Sequence, residues 1–194
     1  MERESAMKIC VLSGNPKKEG LCQSVIDAAR LGAEEGGAQV DEIRLCEYKL
    51  IRCQVCGDGW GPCREENYCK FGGDGFDEIV SRIASCDAII LATPVYWWET
   101  SEALKSSLDR LRRCEFNGQE KLRGKQVLMI ASAGGTGNGI LECLDQMDRF
   151  CRHTGSVIFD YIGVNRWNSD YKREAAKAAA YAMACGRKNG DTVK

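Results

Sequence analysis

The sequence predicts an α/β fold: a doubly wound, five-stranded parallel sheet covered by helices on both faces. Three observations predict it. Strand-like and helix-like segments alternate along nearly the whole chain. Several strand segments are continuous apolar runs, the pattern of strands buried on both faces. Glycine- or proline-containing loops separate the strands from the helices that follow them, as in strand–helix units.

The elements follow in order. Residues 7–13 (MKICVLS) form an apolar run ending in Gly14-Asn15-Pro16, read as a buried parallel strand. Residues 21–36 read as a helix with Val25, Ala29 and Gly32 on one face, stopped by Gly36-Gly37. Residues 38–45 (AQVDEIRL) alternate apolar and polar, which predicts a strand nearer the sheet edge. An irregular stretch, residues 48–74, comes next; a loop of that length is functional or disordered. Phe76, Ile79, Val80 and Ile83 then mark a helix face, with Asp74 placed to cap its start. Residues 87–92 (DAIILA) are a continuous apolar strand ending at Thr93-Pro94. Residues 100–112 read as a helix with Leu104, Leu108 and Leu111 on one side. Residues 125–132 (KQVLMIAS) are another buried strand, running into the glycine-rich segment Ala133 to Gly139. A helix follows through Arg152 with Leu141, Leu144 and Met147 in phase, then a strand over 156–163 and an Ala-rich helix over 170–185.

No internal repeat, low-complexity linker or domain boundary is visible, so residues 1–194 are read as one domain, with 1–6 a disordered lead-in. Right-handed crossovers and five strands fit the flavodoxin-like order 2-1-3-4-5, with a cysteine-rich loop after the second strand. Such a sheet binds ligands beyond the carboxyl ends of its strands.

Composition excludes several classes. A net charge of -1 gives no electrostatic reason to expect nucleic acid or an anionic membrane as partner. The apolar run Ile9 to Leu12 is far too short for a signal-peptide core or a membrane span, so the expected location is cytoplasmic. Twelve cysteines without a secretory signal read mostly as small core residues, Cys10, Cys86, Cys143 and Cys151 among them. His153 is read as a solvated helix end rather than a catalytic group, Arg110, Arg112 and Arg113 as a solvated or dimer-contact face, with an NADPH or acidic-partner phosphate as the alternative contact, and Cys114 as structural.

The loops after the first, third and fourth strands open on one edge and hold the least ordinary segments. The first, Ser13 to Ser24, joins a strand to a helix start, where backbone N–H groups and the helix dipole favour an anion. It lacks the spacing of a P-loop and of the Rossmann glycine fingerprint. A plain strand-to-helix turn is the alternative. The second, Thr93 to Trp98, places three aromatics where a flat ligand or a subunit partner would stack. The third, Ala133 to Gly139, lets backbone lie close to a ligand, or is simply flexible. Together they suit a nucleotide with a planar ring, and FMN meets that description.

The loop between the second strand and the next helix reads Cys53-x2-Cys56-x6-Cys63-x5-Cys69. Four close thiolates suit tetrahedral ligation of zinc or an iron-sulfur cluster. Unligated or disulfide-forming cysteines are the alternative.

With SGNPKKEGLCQS, TPVYWWETSEALKSSLDR and ASAGGTGNG after its strands, the sequence resembles the NADPH-dependent FMN reductase superfamily over residues 7–165. More narrowly, the cysteine loop makes it similar to the iron-sulfur flavoprotein branch. The resemblance implies FMN, with its phosphate at the first loop (Ser13, Asn15, Lys17, Leu21, Cys22 and Gln23). Pro94, Val95, Tyr96 and Trp97 would contact the ribityl chain and isoalloxazine. Ala133, Gly134, Gly135 and Gly137 would line the pyrimidine side. The family has no dedicated catalytic acid or base, since the flavin carries the chemistry. The branch implies a [4Fe-4S] cluster on Cys53, Cys56, Cys63 and Cys69, although its usual middle spacing is shorter than x6.

Three functions follow. The first is an oxidoreductase that passes electrons between a [4Fe-4S] cluster and FMN, with ferredoxin or NAD(P)H as donor and an unnamed small-molecule acceptor. The second is an NAD(P)H-dependent FMN or quinone reductase without a cluster. The third is a non-catalytic electron carrier. A homodimer or homotetramer, with Tyr96 to Trp98 at the contact, is expected in each case.

Overall fold

The computed structural model describes residues 6–116 and 121–187; apart from Ala6, the expected lead-in lies outside them. The strands are β1 (Lys8–Ser13), β2 (Gln39–Arg44), β3 (Ala88–Tyr96), β4 (Glu99–Thr100), β5 (Gln126–Ala133) and β6 (Val157–Asn165). The helices are α1 (Leu21–Glu35), α2 (Phe76–Ala84), α3 (Glu102–Cys114), α4 (Ile140–Thr154) and α5 (Ser169–Ala184). The fold is flavodoxin-like α/β. Its five long strands are parallel and run β2-β1-β3-β5-β6, which is the expected order 2-1-3-4-5 once β4 is set aside.

The short β4 is the departure from the five expected strands. It pairs antiparallel with the end of β3, Val95 opposite Thr100 and Tyr96 opposite Glu99. Only Trp97 and Trp98 connect the two, and both have positive φ, 51° and 67°. Positive φ at both central residues is the hallmark of a type I′ hairpin, which normally selects Asn-Gly. A Trp-Trp pair carries no such signal, so the strand was not legible. β3 also runs past its expected end. Its pairing with β1 stops at Ala92, whereas Pro94 still lies opposite Ser132 of β5. A proline without an N–H is tolerated where one neighbour has already left.

Pleating divides the strand side chains between two cores. Cys10, Leu12, Leu91 and Met129 face α2, α3 and α4, while Ile9, Val11, Ile90 and Ile130 face α1 and α5. Cys10, Cys86, Cys143 and Cys151 are buried, as expected of core thiols. Leu141, expected in phase on α4, is exposed; Ile140, Cys143, Leu144, Met147 and Cys151 form the buried face instead. Among the described residues no helix is long and apolar enough to cross a membrane.

Candidate functional site

Because β1, β3 and β5 are parallel neighbours, the loops leaving them meet at one sheet edge. The first loop is fixed to the second at its root. Gly14 donates its N–H to the Ala92 carbonyl at 2.9 Å and accepts from Ser101 Oγ at 2.7 Å. A Cβ on Gly14 would lie 2.4 Å from that hydroxyl, so this close approach requires glycine.

Buried polar side chains then shape the loop. Asn15 Nδ2 donates to Lys17 O at 2.7 Å and to Gln23 Oε1 at 3.0 Å, and Asn15 Oδ1 accepts from the Lys17 N–H at 3.3 Å. Arg44, from the end of β2, donates to Gln23 Oε1 at 2.8 Å and to Lys17 O at 3.0 Å. Asn15 and Gln23 therefore brace the loop, while Lys17 stays exposed. Leu21 is half-buried at the helix start and Ser13 is buried at the strand end. Burial pushes the Cys22 thiol up to about 12, against the opposing pull of Ser132 and Arg44, so it is a neutral thiol. α1 starts at Gly20 with no side-chain cap and no acidic residue in its first turn. Its first N–H groups have no helical partners, which suits a phosphate.

The second loop is held from below. Thr93 Oγ1 accepts from the Ser101 N–H at 2.9 Å, and Gln146 Oε1 of α4 accepts from the N–H and hydroxyl of Thr100 at 3.0 and 2.7 Å. Pro94 is buried and Val95 half-buried, but Tyr96 and Trp98 are exposed and Trp97 is 88% exposed. In the third loop Ala133 is buried, Gly134 and Gly135 are exposed, and Gly137 packs against Asn165. Gly139 (φ 82°) lies so close to Trp98 that a Cβ would come 2.7 Å from its Cα, which joins the third loop to the second.

The edge thus offers an uncapped helix start, exposed aromatics and bare backbone, and these residues fit FMN. Beside it runs a groove of about 610 Å³ between Tyr96 and Trp97 on one side and Cys46, Tyr48 and Arg52 on the other. Of the expected cofactor residues only Tyr96 and Trp97 line this groove. Sequence reasoning missed Ser101 and Arg44. Only Ser101 carried a signal, a serine immediately before an apolar helical pattern.

Cys53, Cys56, Cys63 and Cys69 all line one cavity, walled by Arg52, Lys70, Arg110 and Arg113. Cys114 lines it as a fifth thiol, pushed up to about 12 by burial and then by Cys69 and Cys63. All twelve cysteines are free, so none of the four is in a disulfide. Among the described residues no three His, Cys, Asp or Glu are already gathered into a metal-binding group. The donor set nevertheless fits a thiolate-held centre: four thiols share one cavity, and basic side chains surround it to balance anionic charge.

The helix behind the loop holds it in place. Arg113 donates to Gly59 O at 2.5 Å and sits 4.8 Å from the Trp60 ring centroid, and Trp60 packs on Phe116 at 4.7 Å. The widened x6 segment is therefore docked on the end of α3. Arg110 corrects the expectation of a solvated face. It is 2% exposed and pairs with Asp74 at 2.7 Å, because the loop folds back over α3 and covers it. Asp74 also accepts from the Phe76 N–H at 3.2 Å at the start of α2, but the N-cap position expected of it belongs to Gly75, which has no side chain to bond.

Comparison with known proteins agrees with this fold. The family model of NADPH-dependent FMN reductase matches residues 7–170. An iron-sulfur flavoprotein of Methanosarcina thermophila is 34% identical over 169 residues, covering 84% of this chain and 83% of that protein. The solved NAD(P)H:quinone oxidoreductase of Methanothermobacter marburgensis superposes with TM-score 0.68 at 19% identity, over 94% of this chain and 97% of the other. An archaeal flavodoxin superposes with TM-score 0.61 at 14% identity, over 92% and 96% of the two chains.

Proposed function

The chain belongs to the NADPH-dependent FMN reductase family and its iron-sulfur flavoprotein branch, and on that premise we propose that it passes electrons between FMN and a [4Fe-4S] cluster. That it is a flavin-dependent oxidoreductase follows from the family; the cluster and the assignment of residues are the proposal. Bound FMN supplies hydride and single-electron chemistry, and the chain supplies position and electrostatics.

The first loop binds the phosphate through the backbone at the start of α1, with Ser13, Leu21 and Cys22 forming the floor and Lys17 adding charge. Asn15 and Gln23 act indirectly, by holding the loop open in the shape that aims those N–H groups. Pro94, Val95, Tyr96 and Trp97 flank the ribityl chain and ring, and Ala133, Gly134, Gly135 and Gly137 offer backbone donors to the pyrimidine edge. Cys53, Cys56, Cys63 and Cys69 hold the cluster. Ferredoxin or NAD(P)H donates the electrons.

The observation that carries this reading is the common cavity of the four cysteines, together with its link to the flavin edge. Arg52 lines both that cavity and the groove beside Tyr96 and Trp97. α3 spans both regions, its start on the first loop and its end on the cysteine loop. The test is anaerobic purification with a visible spectrum and metal and sulfide analysis. Flavin bands with about four iron and four sulfide per chain are expected. Flavin with zinc, or with no metal, would overturn the cluster and leave an NAD(P)H-dependent FMN or quinone reductase. Rapid exchange with ferredoxin and no turnover of small acceptors would instead mark an electron carrier.

A further inference from the structure

We propose that Arg110 positions Cys69 and raises the reduction potential of the centre in the cysteine loop; this rests on the cluster reading above. The guanidinium clasps both ends of the loop. Nη1 donates to Ile51 O at 3.1 Å, two residues before Cys53, and Nη2 donates to Phe71 O at 3.0 Å, two residues after Cys69. Nη2 also reaches Cys69 Sγ at 3.4 Å. Asp74 receives both nitrogens, at 2.7 and 3.1 Å, and the Phe76 ring lies against the guanidinium face with its centroid 4.0 Å away.

A buried cation is costly unless it is paired, and Asp74 supplies the pair. A lysine would satisfy that need with a point charge. The planar fork does more, because it fixes several donors at once and directs one of them at sulfur. Of the cations around the cavity, Arg52 and Lys70 are exposed and Arg113 is half-buried, while Arg110 alone is fully buried. Its charge is the least screened by water and salt.

One-electron reduction adds one negative charge to a thiolate-ligated centre. A cationic donor on a ligand sulfur favours that reduced form, and so raises the potential. The electron arrives from the flavin or the external donor and leaves to the other redox partner, the external acceptor or the flavin. Arg110 keeps its protons throughout, so it tunes the centre without joining the transfer.

The test compares wild type with Arg110→Met, Arg110→Lys and Asp74→Asn, all purified without oxygen. Iron content, an EPR-monitored reduction titration and amide hydrogen exchange over residues 51–74 are measured. Arg110→Met is expected to weaken the one-electron reduction equilibrium about tenfold, which is about 59 mV. Exchange near residues 51–53 and 69–71 quickens about tenfold in the same variant. Arg110→Lys recovers part of both, and Asp74→Asn, which keeps the guanidinium, does not lower the potential. An iron-replete Arg110→Met protein with wild-type potential overturns the inference and leaves the cluster reading intact. Should the methionine variant lose its iron, Arg110→Lys decides, and wild-type potential and exchange there also overturn it. A wild-type protein without iron overturns the cluster reading and the tuning role with it.

Discussion

Ser101 and Gly14 are 87 residues apart in sequence, yet the Ser101 hydroxyl donates to the Gly14 carbonyl at 2.7 Å. The same oxygen accepts from the Leu104 N–H at 3.4 Å and so caps α3. One side chain therefore starts a helix and fastens the loop proposed to hold phosphate. Ser101→Ala removes both bonds in a buried place and is expected to cost about 1 to 2 kcal/mol of stability. FMN affinity falls with it. Urea unfolding and fluorescence titration with FMN measure the two effects.

The Trp97-Trp98 turn predicts an opposition between stability and binding. Two bulky residues in left-handed backbone cost about 1 to 2 kcal/mol each. Trp97 gains little burial in return, being 88% exposed. Trp97→Asn places a residue that tolerates this conformation, and unfolding in the absence of flavin is expected to become harder by about 1 kcal/mol. Flavin binding weakens in the same variant, because the exposed indole is part of the proposed ring site. Local rules are broken in this way most often at functional sites.

Serine at any one of Cys53, Cys56, Cys63 or Cys69 is expected to reduce bound iron severalfold, since a hydroxyl is a poor substitute for a soft thiolate ligand. Cys46→Ser and Cys185→Ser, at exposed thiols outside the cavity, leave iron content unchanged. Iron analysis of protein purified without oxygen separates the two groups.

Acid stability depends in part on Asp148. Its carboxylate accepts from Arg152 Nε at 2.5 Å and from the Tyr161 hydroxyl at 2.7 Å, which ties α4 to β6. The Arg152 hydrogen bond is the main cause that holds this carboxyl below the usual carboxylate range, outweighing burial. A folded-state value below the unfolded one, about 3.9 for Asp, means the contribution is complete above that pH. It is lost as pH falls through the lower, folded value. Asp148→Asn should therefore be less stable than wild type at neutral pH, with the gap closing in strong acid. Thermal unfolding across pH 2 to 7, roughly the range over which carboxylates titrate, follows the gap.

Much of the fold was legible because burial on two faces leaves apolar runs that read directly, as in Ile9 to Leu12, Ala88 to Leu91 and Val127 to Ile130. The edge strand β2 announced itself by alternation. What escaped depends on contacts between distant parts of the chain. Arg110 reads as one of three surface arginines until the cysteine loop folds over it. Asn15 reads as a residue of the phosphate loop, but its bonds to Lys17 and Gln23, which brace that loop, have no local signature. The three loops could be named because a parallel sheet delivers them to one edge, but the bonds that lock them together, Ser101 to Gly14 and Gly139 against Trp98, have no local sequence signature.

α3 has a consequence for how this protein could vary. Ser101 at its start and Arg110 within it are nine residues apart, about two and a half turns and about 13 Å of rise, so the two grips point to opposite sides. Adding or removing one residue between them would turn everything beyond by about 100° and carry Arg110 away from the cysteines. The stretch from Ser101 to Arg110 therefore acts as a gauge of fixed length and phase. Sequence is free to drift along its outer face, but its residue count is locked by the need to serve both ends at once.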